Sequence, residues 1–146
     1  MNPQNLRFGS GQAVRRLEDE QLLKGTGVYT DDVSLPGQTR LCFVRSPYPH
    51  ARIVSIDTSA AKAMPGVHLV VTGAELKAQG VKPMARPVNF KRADGSPPAS
   101  PDRHILAAER VRFVGEALVA VVADTEQQAR DAAEAVQVEF EELPCA

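Results

Sequence analysis

The chain has 146 residues, enough for one domain with a real core, and its 43% apolar and 24% charged residues are those of an ordinary globular protein. With 17 basic and 18 acidic residues the net charge is −1, so no global field argues for nucleic acid or a membrane surface as partner. Aromatics make up 5%, without Trp, too few for the stacking platforms of single-strand binding.

Residues 1–24 are polar and read as an N-terminal arm, with the charged cluster Arg15-Arg-Leu-Glu-Asp-Glu-Gln21 as a short helical turn. Met1–Phe8 has no apolar core of the signal-peptide kind, and no apolar run reaches the roughly 18 residues of a membrane span. A cytoplasmic protein is expected. The domain proper is placed at 25–146. Gly25-Thr-Gly27 and Leu35-Pro-Gly37 bracket Asp31-Asp32 and mark turns around a short extended piece. A strand is expected over about Thr39–Arg45. Leu41, Cys42, Phe43 and Val44 are all apolar there, as in a strand covered on both faces, with Cys42 as a buried free thiol. Ser46-Pro-Tyr-Pro-His50 breaks it, because two prolines fix φ and remove donors.

Ala51–Ile56 reads as a second strand, and Asp57 as the N-cap of a helix over Thr58–Met64 that Pro65-Gly66 stops. Val67–Val71 is a β-branched strand. Thr72-Gly-Ala-Glu75 has capping-box spacing ahead of a short helix. The stretch 79–103 holds five of the 11 prolines and the basic residues Lys82, Arg86, Lys91, Arg92 and Arg103, so an irregular loop is expected. Val111–Val114 reads as a strand, Gly115-Glu116 as a turn or bulge, and Ala117–Ala123 as a central strand. Asp124-Thr-Glu-Gln127 carries a second capping signature. The helix after it aligns Ala129, Ala132, Ala133 and Val136 on one face. Val136–Glu141 alternates as a half-buried strand and completes a β-α-β unit. The class is α+β, mixed α/β with irregular connections and no repeat.

The candidate chemistry is thin. Gly25-Thr-Gly27 lacks the third glycine of a dinucleotide loop and the Gly-Lys-Ser/Thr of a Walker loop, and it reads as a turn. Asp31 and Asp32 are adjacent, and neighbours on an extended chain diverge, so each is expected to bond local backbone. His50, His68 and His104 share no ligand spacing. Glu116 could serve as a general base in a pocket, but the better reading is a hydrogen-bonded turn carboxylate. The basic loop has one aromatic, Phe90, and is diluted by Asp94 and Asp102, so a solvated or subunit-contact loop is preferred over a nucleic-acid site. Cys42 and Cys145 form no Cys-x-x-Cys pair, and their separation favours no disulfide. No catalytic, cofactor-binding or metal residue is assigned.

Several stretches together resemble a known family. Tyr29-Thr-Asp-Asp-Val-Ser-Leu-Pro-Gly37 leads into Arg45-Ser-Pro47, His50-Ala-Arg-Ile53 and Ile56-Asp57; upstream lies Val14-Arg-Arg-Leu-Glu-Asp19. Pro65-Gly-Val67, Val71-Thr-Gly-Ala74, Val114-Gly-Glu116, Val119-Ala-Val-Val-Ala123 and Val138-Glu-Phe-Glu-Glu-Leu-Pro144 follow in order. The pattern is similar to the N-terminal α/β-hammerhead domain in the large, molybdopterin-binding subunit of the xanthine dehydrogenase, aldehyde oxidase and carbon monoxide dehydrogenase family.

The resemblance implies a mixed β-sheet with a few helices, and a parent oxidoreductase that hydroxylates carbon centres or oxidises carbon monoxide. It also implies molybdopterin in later domains of the subunit, with 2Fe-2S clusters and FAD in partner subunits. The implied role is to frame the molybdopterin domains and contact those subunits, with the chain inactive alone. A stand-alone binding or assembly module of the same fold is the alternative. The ending at Cys145 falls close to the family's domain border, as expected of an excised or a separately encoded piece.

Overall fold

The computed structural model describes residues 16–84, 90–98 and 101–145, so most of the N-terminal arm, with Arg86 and Pro87 of the loop, lies outside the described residues. Two compact units form, one up to Pro36 and one from Gly37. In the first, the charged cluster becomes helix α1 (Asp19–Leu23). The piece expected to be extended is instead a 3-10 turn, Thr30–Asp32, closed by the Tyr29 N–H donating to Asp32 Oδ2 at 2.9 Å. An aspartate capturing a nearby backbone donor makes the turn competitive with the strand.

The second unit runs β1 (Arg40–Arg45), β2 (Ala51–Asp57), α2 (Ser59–Lys62), β3 (Val67–Thr72), α3 (Gly73–Ala78), β4 (Arg110–Val111), β5 (Ala117–Ala123), α4 (Glu126–Glu134) and β6 (Gln137–Glu142). The mixed α/β class stands. Its strands divide between two antiparallel sheets rather than joining one mixed sheet, in the orders β1-β5-β3 and β4-β2-β6. Thus α4 links β5 to β6 across two sheets, and β6 registers against β2 through Ile53↔Phe140 and Ile56↔Val138. The described parts of 79–103 carry no helix or strand.

Local differences from expectation have local causes. α2 is short, and its N-cap is Thr58 rather than the expected Asp57, which ends β2; the Asp57 carboxyl accepts from Ser59 N–H at 2.8 Å, which holds it below its ordinary range. The α4 capping box is Thr125 with Gln128, one residue later than expected, because Asp124 is engaged by His68. β4 ends at Val111 because the Arg112 N–H donates to the Glu116 carboxylate (2.6 Å) instead of a neighbouring strand.

β5 is central, as expected, and its two faces differ. Val119 and Val121 pair with Val44 and Cys42 on one side and with Thr72 and Val70 on the other. Val119, Val121, Val70 and Thr72 on that face are buried, and α4 packs against β1 and β5. The opposite face carries Leu41, Phe43, Ala120, Val122, Leu69 and Val71, all half-buried or exposed. β1 is therefore not covered on both faces: Leu41 is exposed, and Cys42 is half-buried rather than buried.

The capping box at α3 is formed as expected. Thr72 Oγ1 accepts from Glu75 N–H (3.2 Å), and Glu75 Oε2 accepts from Thr72 N–H (2.7 Å). That backbone donor, helped by Lys62, lowers the Glu75 pKa. A carboxyl whose pKa is depressed on folding adds stability that is present above its unfolded value and lost as pH falls through the folded one. Thr72→Ala is expected to lower stability by about 1 kcal/mol and, because the backbone donor and Lys62 remain, to leave the acid limb of the stability curve largely in place, whereas Glu75→Gln should flatten it, checked by urea unfolding at neutral and acid pH.

Candidate functional site

The residues singled out from the sequence do not converge. His50, at the end of the Pro-Tyr-Pro turn, donates from Nδ1 to the Pro144 carbonyl at 2.8 Å and ties the start of β2 to the chain beyond β6. His68 on β3 donates from Nε2 to Asp124 Oδ1 at 2.6 Å, joining the ends of β3 and β5. His104 lines a different, small cavity with Lys77 and Glu109. Among the described residues, no three His, Cys, Asp or Glu side chains are placed to hold a metal ion.

Glu116 is largely buried, accepts from Arg112 N–H, and has the Arg112 guanidinium 4.0 Å away. It acts as the clamp of a turn that Gly115 makes possible with φ of 87°. Asp94 accepts from the N–H and hydroxyl of Ser96, which lower its pKa and fold part of the basic loop into a local turn. Asp31 and Phe90 are exposed.

The structure assembles a site that sequence reasoning did not find. Pro49, His50, Arg110, Arg112 and Cys145 line an open groove of about 450 Å³. Arg110 and Arg112 are two apart and both exposed, a spacing that places them on one side of an extended chain. That alternation is the only sequence signal; His50 and Cys145 arrive from distant positions. The smaller cavity of about 50 Å³ shares both arginines. There Lys77 forms an ion pair with Glu109, and this hydrogen bond holds the Glu109 carboxyl below its ordinary range.

The groove's guanidiniums suit an anionic group, and guanidinium is a donor set for carboxylate or phosphate. It offers no nucleophile–base pair. The Cys145 thiol contacts the Leu143 carbonyl at 3.8 Å, while the His50 Nδ1–H is committed to Pro144.

The comparisons with known proteins agree with one another. The family described as "Aldehyde oxidase and xanthine dehydrogenase, a/b hammerhead domain" matches residues 24–144. The chain is 41% identical over 144 residues to the nicotine 6-hydroxylase large subunit of Paenarthrobacter nicotinovorans, covering 91% of this chain and 16% of that subunit. It is 43% identical over 136 residues to the carbon monoxide dehydrogenase large chain of Afipia carboxidovorans, covering 93% and 16%. In three dimensions it is similar to quinoline 2-oxidoreductase from Pseudomonas putida 86, with a TM-score of 0.73 and 42% identity over 90% of this chain and 16% of that one. The chain thus spans 16% of the length of these relatives.

Proposed function

The chain belongs to the aldehyde oxidase and xanthine dehydrogenase a/b hammerhead domain family, and from that premise we propose that it is the N-terminal structural domain of a molybdenum hydroxylase large subunit. The observation that carries this is the pairing of a match over residues 24–144 with coverage of only 16% of the large subunits it resembles. Residues 1–24 serve as the arm and 25–146 as the domain. The domain frames the molybdopterin-binding domains of the same subunit and contacts iron–sulfur and FAD subunits. Molybdopterin, when bound to the parent subunit, supplies the redox centre. This stretch contributes no catalytic, cofactor or metal residue, and its histidines and carboxylates hold turns and strand ends together.

The reading includes a cytoplasmic location and no nucleic-acid or membrane partner. Among the described residues no helix is long and apolar enough to cross a membrane.

Two measurements test it. The purified 146-residue chain is expected to fold without molybdenum and to reduce no dye with aldehydes, N-heterocycles or carbon monoxide. Stoichiometric molybdenum or dye-linked turnover from the chain alone would overturn the assignment. Reading the coding frame beyond Ala146 separates the subunit from a stand-alone module, which predicts no molybdopterin-binding domains there or in an adjacent gene.

A further inference from the structure

An antiparallel sheet with one face in water alternates apolar and polar residues along each strand. The β1-β5-β3 sheet does not. Leu41↔Val122↔Leu69 form one cross-strand row and Phe43↔Ala120↔Val71 the next, so six apolar side chains make a continuous grid; the charge beside it is the Arg45 guanidinium, 5.5 Å from the centre of the Phe43 ring and committed to the Gly115 carbonyl. Both ladders are regular across these rows, with the bulges falling outside them, at Val44/Arg45 and Val67/Leu69. Yet Leu41 is 56% exposed and Leu69 52%, while Val119 and Val121, alternating with the grid on β5, are fully buried. Strands apolar on both sides, with one side open, are built to be covered.

We infer that this face is the docking surface of the domain, and that its occupant is an uncharged aliphatic surface supplied by the rest of the large subunit. The inference rests on the large-subunit reading above and deepens it. Three arguments select the occupant. A charged or polar partner would lose its hydration against a grid that returns no hydrogen bond. A second copy of the chain is disfavoured by size: six side chains fall well short of the roughly 20–30 residues a side of a stable interface. A covering surface in the same polypeptide needs no such area, because its effective concentration replaces it, and most of the length of each large-subunit relative lies outside the match.

Oxidative footprinting by hydroxyl radicals, read by mass spectrometry, tests this without altering a residue. The modification rates of Leu41, Phe43 and Leu69 are compared between the 146-residue chain and the longer subunit containing it. The rates are expected to be high in the chain and about fivefold or more lower in the subunit, as for side chains entering a dry interface core. Equal rates in both would overturn the docking face while leaving the subunit reading intact. Protection in the chain that is lost on dilution would assign the face to a second copy, and protection at every dilution would show that the chain covers itself; either overturns the inference. A coding frame that ends at residue 146, with no such subunit encoded beside it, overturns the large-subunit reading itself, and the occupant with it.

Discussion

Leu118→Ala is expected to destabilise the chain by about 2–5 kcal/mol, the range for emptying a fully buried leucine site. Leu118 is the largest side chain fully removed from solvent. On β5 it precedes the equally buried Val119, at the step where the register against β1 shifts. It belongs to a buried cluster that also holds Ala51 of β2 and Val111 of β4, so residues of both sheets share one core. A cavity in that cluster loses packing that a rigid interior refills only in part. With folded domains stable by only about 5–15 kcal/mol, a loss of this size removes a large share of the total.

The matched control is Leu69→Ala on β3, the same chemistry on an exposed face, expected to cost less than about 1 kcal/mol in the isolated chain. Urea unfolding with unchanged m-values measures both. Equal costs would show that burial at Leu118 adds nothing over the exposed site. The proposed docking face predicts that Leu69→Ala costs more in a longer subunit containing the chain than in the chain itself.

This contrast also explains what could be read from the residues and what could not. Strand positions followed from apolar runs because each run reports how a strand is covered, and the Leu41–Val44 run reported cover on both faces although the chain supplies only one. The division into two sheets was not legible, since the alternation β5-α4-β6 is the same whether β6 pairs with β5 or, as found, with β2. The Val111–Val114 run misled because its fate depends on one carboxylate, Glu116, taking the Arg112 N–H. Among the candidate site residues, Glu116 as a hydrogen-bonded turn carboxylate was legible from Gly115-Glu116, whereas the partners of His50 and His68, which come from distant positions, were not. Nor was the Arg110/Arg112 groove, because it gathers residues from three separate stretches.

Gly73→Ala tests a packing argument against helix propensity. Gly73 opens α3, where alanine should be better by up to about 1 kcal/mol, both in the helix and through a less flexible unfolded chain. Its backbone is not in the left-handed region, so no conformational demand excludes a side chain. The obstacle is backbone from far along the chain. A Cβ at this position would lie 2.7 Å from the Leu106 oxygen and 2.6 Å from the Ala107 carbonyl carbon, and closer still to the Ala107 oxygen. No rotamer change relieves an overlap with main chain. Nor can the Leu106–Ala107 segment readily retreat, because both residues are buried and Ala107 N–H donates to the Ala117 carbonyl of β5 at 2.8 Å.

Relief therefore requires shifting α3 away from the segment or breaking the tie to the central strand. The substitution is expected to cost about 1–3 kcal/mol, as overpacking does, with the sign opposite to propensity. Ala74→Gly is the control: at an exposed position one residue along the same helix, it should cost about 0.5–1 kcal/mol from propensity alone. Thermal unfolding of the two variants decides the matter. If Gly73→Ala proves the more stable of the pair, the close approach of the 106–107 backbone to α3 is wrong. If it is the less stable, the glycine of Thr72-Gly-Ala-Glu75 is there because a strand-to-helix corner has to admit a second segment of backbone, which capping-box spacing alone does not reveal.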